Sequence, residues 1–191
     1  MQTWTAEQAR AFLTATADDE LAALYVLALH TGMRVGEMLG LRWGDIDLAR
    51  GTLAVRRTVT HGNAGLAIGT PKTAAGKRSI ALPAPCVAAL RSRRAAQAGR
   101  RLQLGPAWQD GNYVFDRGQG TVLHPNSAGR AFQRHLARLG LPRIRFHDLR
   151  HTAGMLLLAQ GPTLRCGLRD AEAGDHRPHP GYLQPLGTDA P

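Results

Sequence analysis

Two short constellations in this 191-residue chain carry side chains with legible chemistry. In the first, Thr31-Gly32-Met33-Arg34-Val35-Gly36-Glu37, a glycine breaks an apolar helix and an arginine follows on the first turn of the next. Glu37 comes one helical turn later, where its carboxylate can pair with the guanidinium and fix its direction. Val35, Met38, Leu39 and Leu41 give that helix a side to bury, so Arg34 is expected on a rigid element rather than a mobile loop. An arginine held in this way suits a phosphate. The second constellation is Phe146-His147-Asp148-Leu149-Arg150-His151. On a helix, His147 shares a face with Arg150 and with His151. An imidazole and a guanidinium on one face can hydrogen-bond a phosphoryl group and stabilise the negative charge it accumulates. His147 and His151 also have the spacing of a metal-ligand pair, but no third ligand is evident, and no metal or other cofactor is expected.

The elements that must position these groups follow from pattern. Trp4–Thr16 reads as a short helix with Thr5 as its N-cap, Glu7 in its first turn, and Ala9, Phe12 and Leu13 on one face. Leu21–His30 is apolar enough for a buried helix. Three alternating segments, Thr52–Val59, Leu66–Thr70 and Arg78–Leu82, are separated by the turns Gly62–Gly65 and Thr73–Gly76. They predict a small three-stranded antiparallel sheet, with both lysines of the chain, Lys72 and Lys77, near its second hairpin. Pro85 suits the first turn of a helix over about Cys86–Ala98. Asn126 or Ser127 can cap a helix carrying Ala128, Phe132, Leu136 and Leu139, which Gly140 and Pro142 end. His147–Gln160 predicts a last helix. The fold class is therefore α+β, mostly helical.

A formal net charge of +10 favours a polyanionic partner, with nucleic acid the default, although an arginine-rich, Ala/Gly/Pro-rich composition also follows from a GC-rich genome. Arg42, Arg56 and Arg57 are candidate phosphate contacts, as are members of the Arg91–Arg101 cluster, some of which belong to solvated faces. No apolar run is long enough to span a bilayer and no leader is expected. Cys86 and Cys166 do not make a disulfide framework. The expectation is a cytoplasmic protein, associated with the nucleoid when bound to DNA.

A bare His-x-x-Arg is a weak signal. Joined to Thr-Gly-x-Arg-x-x-Glu-x-x-x-Leu-x-Trp-x-Asp-Ile-Asp upstream, it resembles the catalytic domain of the tyrosine recombinases, the phage integrase family, over about Trp4–Gly161. The resemblance implies the fold of that catalytic domain, with Arg34 and Arg150 as catalytic arginines, His147 as the catalytic histidine, and Glu37 and His151 in support. Lys72, in Thr-Pro-Lys-Thr-Ala-Ala-Gly-Lys-Arg-Ser-Ile, stands where the family carries its hairpin lysine, the general acid for the leaving 5′ oxygen. It also implies double-stranded DNA as partner, synaptic tetramers of intact members, and transesterification through a 3′-phosphotyrosyl link, with neither metal nor ATP.

The resemblance stops near Gly161. The family's Leu-Gly-His element and Thr-x-x-x-Tyr-x-His segment do not stand in residues 162–191, which are Pro-rich and without apolar period. Tyr182 falls near the nucleophile's spacing, but its setting, His-Pro-Gly-Tyr-Leu-Gln-Pro, offers nothing to position the hydroxyl. Synonymous codons exist for Ala173–Gly187 that, read from the second nucleotide, spell LATIALTLDTYSHL, which is the missing segment with its tyrosine. The expectation is therefore a catalytic domain over residues 1–161 followed by a tail, disordered or translated out of frame. The family's N-terminal clamping domain also finds no counterpart, since the match begins almost at Met1, so a fragment with impaired cleavage is expected. Two other readings remain: a non-catalytic DNA-binding remnant, and a helix-turn-helix regulator with a coincidental His-x-x-Arg. The hairpin lysine and the Trp-Gly-Asp-Ile-Asp turn argue against the regulator.

Overall fold

A helix that is apolar on every side has to be surrounded, and Ala22–Thr31 (α2) is, with Ala23, Leu24, Tyr25, Leu27, Ala28 and Leu29 all buried. Around it lie Ala6–Ala15 (α1), Val35–Leu39 (α3), Ala84–Leu104 (α4) and Asp148–Ala159 (α6), with Pro125–Leu139 (α5) against α1 and α3. The structure, a computed structural model, describes residues 2–62, 65–70 and 78–159. Lys72, Lys77 and Tyr182 lie outside the described residues. Among the described residues no helix is long and apolar enough to cross a membrane.

Rings fill the space between α1, α2 and α5. Phe12 and Phe132 meet edge to face at 5.3 Å, Phe12 and Tyr25 at 5.0 Å, and Phe132 and Phe146 at 5.4 Å, all in the tilted or T-shaped arrangements that ring quadrupoles favour. Trp4 closes the cluster from the N-terminus. Its indole N–H donates to the Pro142 carbonyl, and its backbone N–H donates to Thr152 Oγ1 on α6. The segment leading into α6 thus starts from the aromatic core, one residue before His147.

The helix boundaries differ from expectation where polar groups decide them. Thr5 caps α1 as expected, with its hydroxyl accepting from Gln8 N–H and the Gln8 amide oxygen accepting from Thr5 N–H. Helix α4 starts earlier and runs a turn and a half longer than its apolar period. Its later turns are held by buried polar residues: Arg93 donates to the Val114 carbonyl and to Asp116, and Gln97 donates to the Tyr113 carbonyl and to Asp116. Helix α5 is capped by His124, with Pro125 at its first position, rather than by Asn126 or Ser127. Helix α6 begins at Asp148, so His147 stands in the turn just before it rather than within it.

The three-stranded antiparallel sheet exists, with different members. Ile46–Asp47 (β1), Thr52–Val55 (β2) and Arg78–Ala81 (β5) form it in the order β1-β2-β5, with Leu53 opposite Ile80 and Val55 opposite Arg78. The expected single strand Thr52–Val59 breaks at Arg56–Arg57. Beyond the break, Thr58–Gly62 (β3) pairs with Gly65–Gly69 (β4) as a separate hairpin. The break has a local cause. Both arginines pair with Asp45, whose side chain is 4% exposed, and the backbone then passes over the glycine face of α3. Val59 O lies inside van der Waals reach of any Cβ on Gly36, and Arg57 O would stand 2.9 Å from one on Gly40.

Candidate active site

Helix α2 ends at Gly32 in the left-handed conformation, φ +60°, a shape that a side chain disfavours. That turn rests on α6: a Cβ at Gly32 would lie 3.8 Å from both Arg150 Cγ and Ala153 Cβ. Two residues on, Arg34 occupies the N-cap position of α3 in extended backbone, one residue ahead of the first helical turn expected for it. The left-handed turn therefore brings Arg34 beside Arg150, although they are far apart in sequence.

Glu37 organises this corner. Its carboxylate is 3% exposed and accepts Arg34 N–H at 3.0 Å, closing the N-terminus of α3 in capping-box fashion, and Arg34 Nη1 at 3.2 Å. Arg78, at the start of β5, donates Nη1 to Oε1 at 3.2 Å and Nη2 to Oε2 at 2.9 Å. Burial by itself pushes the Glu37 carboxyl up, but the hydrogen bonds from Arg78 and Arg34 outweigh it and hold the group below the ordinary carboxylate range. Arg34 remains 60% exposed.

Arg150 is half-buried, and its Nη1 is shut off from solvent without a hydrogen-bond partner among the described residues. Burial and then the neighbouring Arg34 charge lower its hold on its proton, which Glu37 partly offsets and Arg78 reinforces. A buried donor facing like charges is unfavourable unless an anion arrives. His147 is exposed ahead of α6, and its ring lies 5.5 Å from that of His151. Next to it, Asp148 is spent on capping: it accepts Arg145 N–H, Nε and Nη2, and these bonds hold its carboxyl below the usual range.

Arg42 stacks over Tyr113, 5.0 Å from the ring centroid, and donates Nη2 to its hydroxyl. Arg57 donates Nη1 to Asp45 and is 28% exposed, while Arg56, 3.6 Å from Asp45, is 65% exposed and the most accessible of the three. The Arg91–Arg101 cluster is occupied by its own fold. Arg91 donates to the Leu48 carbonyl, Arg94 lies over Trp43, Arg100 pairs with Glu20 and Arg101 pairs with Asp110.

An open groove of about 1150 Å³ lies between α5 and residues 143–148. Arg130, Arg134, Arg143 and Arg145 line it with Asn126 and Gln133, and Phe146 and Asp148 on either side of His147 line it too. Sequence reading passed over these arginines because apolar period, not charge, singled out α5. For Arg130 and Arg134, their spacing on α5 opposite Phe132 and Leu136 was the available signal; Arg143 and Arg145 lie beyond the helix.

A mostly helical domain thus gathers Arg34, Arg78 and Arg150 around the Glu37 carboxylate. The Phage integrase family model matches residues 2–166. Among curated relatives, the "Tyrosine recombinase XerC-like" protein of Caldanaerobacter subterraneus subsp. tengcongensis is 29% identical over 177 residues, covering 86% of this chain and 45% of the relative. An integrase of Streptomyces ambofaciens is 32% identical over 176 residues, covering 84% of this chain and 43% of the relative. The fold is shared with the Tn1549 transposon integrase, solved in complex with transposon right end DNA (TM-score 0.71, 23% identity, 84% of this chain and 54% of that one). It is shared also with the lambda integrase catalytic core (TM-score 0.52, 22% identity, 84% and 85%). The chain belongs to the phage integrase family of tyrosine recombinases, and it spans less than half the length of these two curated relatives.

Proposed function

We propose that this chain is the DNA-engaging catalytic part of a tyrosine site-specific recombinase, acting on the phosphodiesters of a duplex. The observation that carries the reading is the corner itself. Arg150 packs against the α2 turn close enough to Arg34 to feel its charge, and among the described residues its buried Nη1 has no acceptor. A nonbridging phosphate oxygen would satisfy that donor and relieve the repulsion between the two guanidiniums. Arg56 and the arginines of the α5 groove would hold the flanking backbone.

In the reaction this reading implies, a tyrosine hydroxyl attacks phosphorus and forms a P–O bond as the P–O bond to the 5′ oxygen breaks. Arg34, Arg150 and His147 stabilise the added charge, with His151 behind His147, and Lys72 gives the leaving 5′ oxygen its proton. The phosphotyrosyl link conserves the bond energy, so rejoining needs no ATP, and the guanidiniums carry the charge work. Residues 1–161 would be the catalytic domain, and residues 162–191 the out-of-frame remains of the segment that supplied the nucleophile. Such a product would bind DNA in the cytoplasm and cleave it weakly if at all, since the sequence around Tyr182, His-Pro-Gly-Tyr-Leu-Gln-Pro, is not the family's nucleophile segment. Synaptic tetramers would belong to intact members.

The setting of Tyr182, between Pro180 and Pro185 with Gly181 adjoining, favours a second reading, a binder that does not cut. A nicked suicide duplex separates the two. A covalent adduct that vanishes in Tyr182→Phe supports the enzyme, and retardation without adduct supports the binder. No retardation even at low salt would refute both. Sequencing the locus tests the frame: a shifted frame that does not encode LDTYSHL sinks the out-of-frame reading.

A further inference from the structure

Arg78 plays no part in the chemistry above, yet it makes the most complete ion pair in the corner. Each Glu37 oxygen accepts two hydrogen bonds, one of them from Arg78. The sharing is unequal. Arg78 commits a two-point fork and is 25% exposed, whereas Arg34 commits a single guanidinium N–H and is 60% exposed. A guanidinium carries five N–H donors, so Arg34 keeps most of its own for another anion.

We propose that Arg78 is a positioning residue, which occupies the bidentate face of Glu37 and thereby keeps the Arg34 guanidinium turned outward to the scissile phosphate. The inference rests on the recombinase reading for the identity of that phosphate. Its physical core is competition. A carboxylate this buried is strongly unfavourable if left uncompensated. Arg34 already touches Glu37 and sits on a flexible stem, so it is the nearest replacement. Without Arg78, Arg34 would rotate into the vacated fork and be withdrawn from the surface. The charge balance moves the same way. Arg34, Arg78 and Arg150 against Glu37 leave a net two positive charges, suited to a phosphoryl group gaining a second negative charge, and loss of Arg78 leaves one.

The full chain is tested by fluorescence anisotropy with a labelled duplex across a salt series, each variant first shown to melt cooperatively. Arg34→Gln and Arg78→Gln are each expected to lower the slope of log affinity against log salt by about 0.9, one phosphate contact. The double variant Arg34→Gln/Arg78→Gln should lose no more than either alone. Glu37→Gln/Arg78→Gln should recover most of the loss, because no carboxylate remains to capture Arg34, and Arg78→Lys should recover part. Additive losses, or no recovery with Glu37→Gln, would overturn the proposal, since they describe a direct phosphate contact or a purely architectural role. A DNA-free measurement separates this from the function. Side-chain ¹⁵N spectra should show the rotation of the Arg34 guanidinium becoming slower in Arg78→Gln than in the wild type. Unchanged rotation refutes the positioning role. A wild-type chain that ignores the duplex while Arg34 becomes restricted refutes the recombinase reading and leaves the competition intact.

Discussion

Gly36 and Val59 touch backbone to backbone: the Val59 carbonyl occupies the space that any side chain on Gly36 would need. The contact seats β3 against α3 and sets the height at which Arg34 leaves the N-terminus of that helix. Gly36→Ala is therefore expected to cost about 1–3 kcal/mol by overpacking. Gly44→Ala, where nothing lies within 4 Å, should stay within about 0.5 kcal/mol of wild type. Urea denaturation of the two variants checks this, and equal stabilities would refute the close approach.

Arg150→Met is expected to raise the thermal midpoint while weakening DNA binding. The substitution removes a half-buried charge that, among the described residues, lacks a hydrogen bond at Nη1 and feels the Arg34 and Arg78 charges. Loss of charged hydrogen bonds to a phosphate should reduce affinity by roughly 10- to 100-fold. A lowered midpoint would mean that Arg150 serves the fold rather than an anion.

Acid should unfold the protein partly through two carboxylates. Glu37 and Asp148 both hold folded values below their ordinary ones. Their stabilisation is thus complete above the unfolded values, about 3.9–4.3, and is lost as pH falls through the lower folded values. The denaturation midpoint should drop steadily below about pH 4, and Glu37→Gln/Asp148→Asn should be less stable at pH 7 with a flatter acid limb. An acid limb as steep as the parent's would exclude these two groups as its source.

His124 and His61 form a tautomer chain. His124 Nδ1 accepts Asn126 N–H at 3.0 Å, so its proton sits on Nε2, 3.1 Å from His61 Nδ1, which must accept. Desolvation, then His61, Arg130 and Arg117, lower the His124 pKa, so the neutral cap persists at pH 7 and is lost as pH falls below the ordinary imidazole value of about 6.5. Imidazole ¹⁵N spectra should find both protons on Nε2 at pH 7.5. A proton on His124 Nδ1 at that pH would contradict the cap.

Much of the site was legible because it is local. Arg34 and Glu37 stand three residues apart at the start of α3, and capping geometry alone brings them together. The glycine stop at Gly32 was readable for the same reason, as was the buried α2. The strand exchange that gives β2 to β5, and Arg78's grip on Glu37, were not, because both join residues separated by an intervening hairpin whose length carries no pairing information. A buried glutamate with one local arginine was the only hint that another cation had to arrive. For the arginines of α4 the sequence left phosphate contact and solvated face both open, and it could not show that Arg93, Arg100 and Arg101 pair with Asp116, Glu20 and Asp110.

The chain by itself determined which side chains are chemically suited to a phosphate and which short helices carry them, since capping, period and glycine conformation act within a few residues. Only the tertiary structure decided that Arg34 and Arg150 share a corner, that Glu37 is divided between two guanidiniums, and which arginines stay exposed. Those outcomes depend on which carbonyls and carboxylates are buried beside each cation, and burial is set by packing between distant segments rather than by any one of them.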